Sequence, residues 1–190
     1  MWSFFYNLEF MESGKFLIST PSIINDINFQ RSVILLVDQK AEGRVGFILN
    51  KKLEYTLNDV IDDLNVKVPL YFGGPVAEDI FFIHSASHLI PNSLHIKNDL
   101  YWSGDFKTVI AQINAGKLAK NEIRFFLGYS GWSEKQLKKE ITLNSWRVVD
   151  NITNATWIKK STNNLWRDQM KAMGGKYLIW SNAPENPNWN

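Results

Sequence analysis

The sequence predicts one α+β domain built on a mixed sheet. Three observations carry this. Short apolar runs recur along the chain and are interrupted by three or four helical patterns, with hairpins mixed among crossovers. The 190 residues suffice for one sizeable core and are few for two. No internal repeat, low-complexity run or linker divides them, so residues 1–190 read as one domain.

The elements follow in order. Residues 1–12 suggest an amphipathic helix with Phe4, Phe5, Leu8 and Met11 on one side. KFLIST (15–20) reads as a strand stopped by Pro21. SVILLVD (32–38) is a continuous apolar run rich in β-branched residues, so it should be buried on both faces. A turn at Glu42-Gly43 then returns the chain as a second strand, making 32–49 a hairpin. In TLNDVIDDL, Thr56 could cap a helix carrying Leu57, Val60, Ile61 and Leu64 on one face. VPLYF, DIFFIHS and SLHI read as strands. DFKTVIAQINAG reads as a helix capped by Asp105 and ended by Gly116. EIRFFLGYSG is a strand, SEKQLKKEI a helix and WRVVDNI a strand. NNLWRDQMKAM is a last helix stopped at Gly174-Gly175, and residues 181–190 form an extended tail.

Composition narrows the function classes. The 21 basic and 19 acidic residues leave a net charge of +2, which argues against a nucleic-acid coat. With no cysteine, disulfides, thiol catalysis and thiolate zinc sites are excluded. The N-terminus lacks a basic start and a clean apolar core, so it is a poor signal peptide. No stretch reaches the ~20 apolar residues of a membrane helix. Together these suit a cytoplasmic protein without a membrane partner.

Several motifs invite a chemical reading. In Gly128-Tyr129-Ser130-Gly131-Trp132, a serine between glycines follows a strand, as in a hydrolase nucleophile elbow. The second glycine comes one place early, however, and His84, His88 and His95 all precede the serine. Ser133 and Gln136 instead form a capping box for the next helix. The glycines then allow a sharp reversal, and Trp132 packs beside it. Gln136 and Glu140 are either surface residues or the lining of a cleft. The Gly73-Gly74 pair could cradle a phosphate, but Pro75 removes a donor and no phosphate-loop pattern surrounds it, which favours a structural turn. His84 and His88 have i,i+4 spacing, yet the strand pattern and the missing glutamate favour ordinary hydrogen bonding over a metal. Arg31 could grip a carboxylate or phosphate, and Asn50 could orient a ligand or cap a turn.

Taken together, GKFLISTP, FQRSVILLVD, GRVGFILNK, YFGGPV, IHS, GYSGWSEKQLKKEI and LWRDQMKAMGG, in this order, resemble the YqgE/AlgH family of bacterial proteins. The likeness runs from about residue 13 to the C-terminus. Ser19, where many members have alanine, and the aromatic Trp102-Ser103 stretch are modest departures. The resemblance implies a sheet curled into a pseudo-barrel. It implies no established reaction, although some members carry the name of transcriptional regulator.

The expectation is a non-enzymatic protein that binds a small ligand or a protein partner, with a regulatory role and no cofactor or metal. Its ligand-binding cleft would be formed by Arg31, Asn50, Gly73, Gly74, His84, Tyr129, Trp132, Gln136 and Glu140, because glycine turns and polar residues gather at strand ends. The alternatives are a hydrolase using His84 and a DNA-binding regulator.

Overall fold

The computed structural model describes residues 12–40, 43–150, 158 and 162–182. Ten strands form one sheet among these residues: β1 (Phe16–Ser19), β2 (Val33–Lys40), β3 (Gly43–Ile48), β4 (Lys52–Thr56), β5 (Pro69–Phe72), β6 (Val76–His84), β7 (Leu94–Lys97), β8 (Leu100–Trp102), β9 (Ile123–Ser133) and β10 (Trp146–Val149). Among the described residues, the α-helices with defined bounds are α1 (Phe106–Asn114), α2 (Glu134–Thr142), α3 (Leu165–Met173) and α4 (Lys176–Ser181). The main path runs β10-β1-β2-β3-β9-β6-β8-β7, and the β4–β5 pair branches from β9. Pairing is antiparallel except between β5 and β9, and the sheet curls into an open half-barrel.

β9 organises the fold. Its first half lies between β5 and β6, with Phe125 opposite Leu70 on one side and Phe82 on the other. Beyond Gly128 its partner changes from β5 to β3, pairing Ser130 with Gly46 and Trp132 with Arg44. The change falls at a residue with φ +68, a conformation that glycine adopts without cost. The apolar run of β2 is explained by its place between β1 and β3, with residues 33–37 all buried.

Three apolar clusters fill the interior. One holds Phe47, Phe126, Ile83, Trp166 and Met170. A second lies under α1, where Val109, Ile110 and Ile113 meet Phe82 and Phe125. The third joins Leu17, Ile34, Trp132, Leu137 and Trp146 beneath α2. α1 is capped as its sequence predicts, with Asp105 accepting from the Thr108 N–H at 2.7 Å.

The structure corrects four local expectations. Residues 56–64 do not form an α-helix: only a 3₁₀ turn spans Leu57–Asp59. The Asn58 side chain explains this, since it donates to the carbonyls of Leu64 and Val66 and accepts from Val68 N–H, tying the segment into a loop. The strands β4 and β8 and the short helix α4 add to the expected elements. GYSG is no reversal, because β9 runs through it to Ser133. Finally, the capping box is half made. Ser133 Oγ accepts from Gln136 N–H at 3.2 Å, but the Gln136 side chain turns to Glu140. Residues 1–11 of the expected N-terminal helix, Glu42 of the expected turn and residues 183–190 of the tail lie outside the described residues.

Candidate functional site

The ends of β2 and β3 meet at Asn50. Its Oδ1 accepts from Val33 N–H at 2.8 Å and its Nδ2 donates to the Arg31 carbonyl at 2.8 Å. This clamp holds Arg31 at φ +51, a conformation uncommon outside glycine and costly unless its surroundings enforce it. The Arg31 guanidinium lies over the Trp166 ring, 5.1 Å from its centre. Next in sequence, Lys51 donates to the carbonyls of Ile27 (2.9 Å) and Asn28 (2.7 Å). Burial lowers its pKa, and Asp26 opposes the shift in part.

These residues open onto a groove. A hollow of about 890 Å³ is lined by Asn50 to Glu54, Thr56, Lys67, Pro69 and Asn163. Asn50, Lys51 and Asn163 continue into a smaller hollow of about 280 Å³ that reaches Arg31, Trp166 and Arg167. In the other direction Lys52, Lys67, Pro69 and Asn163 continue into one of about 490 Å³, which reaches Tyr71, Lys120 and Arg124. The shared walls make the three hollows one groove. Its described walls carry seven basic side chains and one acidic one, Glu54. The near balance of charge over the whole chain therefore conceals a strong local excess. Low-dielectric walls lined by one sign of charge concentrate counter-ions.

Arg124 forms part of this floor. It is buried at 5% exposure and donates to the Leu49 carbonyl at 3.0 Å and to Thr162 Oγ1 at 3.3 Å. Its guanidinium stacks over Tyr71, 4.3 Å from the ring centre. Desolvation lowers its pKa, while Tyr71 opposes the shift. Lys52, Lys67 and Lys120 are exposed around it.

Of the nine residues expected to form a cleft, Arg31 and Asn50 line this groove. The others are engaged in different places. Gly73 and Gly74 press against β9: a Cβ at Gly73 would overlap the Gly128 carbonyl, and one at Gly74 would overlap Tyr129 and Ser130. Ser130 is wholly buried and donates to the Gly73 carbonyl at 3.0 Å, so the serine of the elbow-like pattern is a packing residue. Tyr129 packs edge-on against Phe81. Trp132, Gln136 and Glu140 form one cluster. Glu140 Oε2 accepts from the indoles of Trp132 (3.0 Å) and Trp146 (2.7 Å), and Oε1 accepts from Gln136 (2.9 Å). Phe29 completes an aromatic trio with the two tryptophans.

His84 is also engaged. Its Nε2 donates to the Ser103 carbonyl at 3.1 Å, and its Nδ1 accepts from Ala86 N–H at 3.3 Å. The first contact assigns the proton to Nε2, because a carbonyl can only accept. Desolvation lowers its pKa. A fully buried neutral imidazole with both nitrogens occupied is poorly placed as a general base. Among the described residues, no group of three or more His, Asp or Glu side chains is arranged to hold a metal.

Sequence reading missed Lys52, Lys67, Lys120 and Arg124. The Lys51-Lys52 pair beside Asn50 was the only local signal. The rest become neighbours only because β5 lies parallel to β9.

The fold and groove thus define a class of protein: a single α+β half-barrel with a basic groove across one part of its sheet. The AlgH-like (DUF179) family model matches residues 16–178, and the chain belongs to that family. A UPF0301 protein of Cytophaga hutchinsonii is 40% identical over 183 residues, covering 95% of this chain and 100% of its own. One from Bacteroides fragilis is 41% identical over 179 residues, covering 93% and 90%. The solution structure of the AlgH protein from Pseudomonas aeruginosa is similar with a TM-score of 0.68 at 24% identity, covering 90% of this chain and 93% of that one. A crystal structure from Corynebacterium diphtheriae gives a TM-score of 0.70 at 21% identity, covering 90% and 92%. Among the described residues no helix is long and apolar enough to cross a membrane.

Proposed function

We propose that this is a non-enzymatic cytoplasmic protein that binds an anionic ligand in the groove between Arg31 and Lys120. One observation carries the reading: among the described residues, seven basic side chains and a single acidic one line a continuous groove in a chain of nearly balanced charge. Two features favour a prepared site over scattered surface charge. Arg124 is held in place by the Leu49 carbonyl, the Thr162 hydroxyl and Tyr71. Arg31 is held in a strained conformation by Asn50. Side chains fixed before binding lose less entropy when a ligand arrives. A regulatory role would follow if occupancy altered a partner surface.

The test is calorimetric titration with a panel of small polyanions at about 50 and 200 mM salt. Binding should weaken as salt rises and should be lost in Lys52→Glu/Lys67→Glu. No binding by any anion at the lower salt would overturn the reading.

A further inference from the structure

We infer that the groove takes a linear, non-aromatic polyanion of the condensed-phosphate class, and that it reads spaced charge and no base. The inference rests on the anion-binding reading above. Three observations lead to it.

The first is continuity. Lys52 and Lys67 line both the central and the Lys120 hollows, while Lys51 joins the central hollow to the Arg31 end. An extended ligand meets positive charge along its length.

The second is the kind of donor on offer. Lys52, Lys67 and Lys120 are exposed and, among the described residues, form no ion pair. Ammonium groups act as point charges with rotatable donors, which suit phosphate oxygens and select weakly for planar carboxylates. The Arg124 guanidinium already donates to Leu49 and Thr162, so its part is to support the field of the lysines.

The third concerns stacking. Tyr71 and Trp166 are the aromatic residues in the groove's described walls. Each already carries a guanidinium over one face of its ring, at 4.3 Å for Tyr71 and 5.1 Å for Trp166; Trp166 is otherwise buried, and half-buried Tyr71 also packs near Phe126. Sequence-tolerant grip on a nucleobase needs an open aromatic face. The groove offers charge where a nucleotide site would also offer a platform.

The experiment titrates the full chain with orthophosphate, pyrophosphate, tripolyphosphate, adenosine triphosphate, citrate and a single-stranded oligothymidylate. Affinity should rise at least about tenfold from orthophosphate to tripolyphosphate. Adenosine triphosphate should bind within about threefold of tripolyphosphate, since the base adds no contact. Lys67→Glu should lose at least about tenfold with its melting temperature unchanged, and Lys67→Arg should restore most of it. If adenosine triphosphate or the oligothymidylate binds at least about tenfold tighter than tripolyphosphate, or citrate matches it, this proposal fails while the anion-binding reading survives. If nothing binds, both fail.

Discussion

Replacing Glu140 with alanine should destabilise the protein without touching the groove. Glu140 Oε2 accepts from two indoles whose tryptophans are 4% and 2% exposed. Alanine would leave both donors buried and without that acceptor. Each such donor costs about 1–3 kcal/mol, so the pair should cost about 2–6 kcal/mol. For a chain of this size each kcal/mol lowers the melting temperature by about 2–4 °C, giving a fall of about 4–24 °C. Gln136 donates to the other carboxylate oxygen but is exposed, and Gln136→Ala should stay within about 0.5 kcal/mol of wild type. Urea unfolding of the two variants beside the parent reads the difference directly. If Glu140→Ala were as stable as Gln136→Ala, the carboxylate would not be the anchor of the two tryptophans, and the cluster would again be open to a ligand-binding role.

Other expectations follow from the same contacts. Trp132→Ala should cost about 3–5 kcal/mol, because the ring is buried against Phe29 and Trp146; unchanged thermal unfolding would contradict this. Gly74→Ala should cost at least about 3 kcal/mol, combining a positive φ of 150° with overlap against the β9 backbone, and poor soluble yield or a large fall in denaturant midpoint would register it. His84 predicts a pH dependence. Its folded pKa is lowered from 6.5, so the unfolded chain binds its proton first as pH falls. Stability from neutral His84 is therefore full above about 6.5 and is lost as pH drops from there towards the folded value. Melting temperatures from pH 8 to 5 should show this loss, and His84→Gln should show less of it over the same window; identical slopes would refute the assignment.

Much of the fold was legible because local signals and burial agree. The unbroken apolar run of β2 announced a strand with neighbours on both sides, and Asp105 announced the start of α1. The failures share a cause, which is tertiary contact overriding a local pattern. Leu57, Val60, Ile61 and Leu64 have helical spacing, but Asn58 binds carbonyls six and eight residues ahead and closes a loop instead. The glycines of GYSG suggested a turn, whereas Gly128 lets one long strand change partners. Among the residues expected to form a cleft, Arg31 and Asn50 line the groove, and both flank a buried strand. The exposed lysines of the groove's described walls come from positions 52, 67 and 120, and no spacing rule joins them. Gly73, Gly74, Trp132 and Glu140, expected in the cleft for their turn and helix positions, hold strand to strand and helix to sheet.

The most direct test of the account is a chemical-shift map of the isotopically labelled protein as tripolyphosphate is added. The account predicts that amides of residues 50–54, 67 and 120–124 move together and in proportion to occupancy, while those of 73–74 and 132–140 stay in place. Shifts centred on Gln136 and Glu140, or spread evenly over the lysines of the surface, would contradict it.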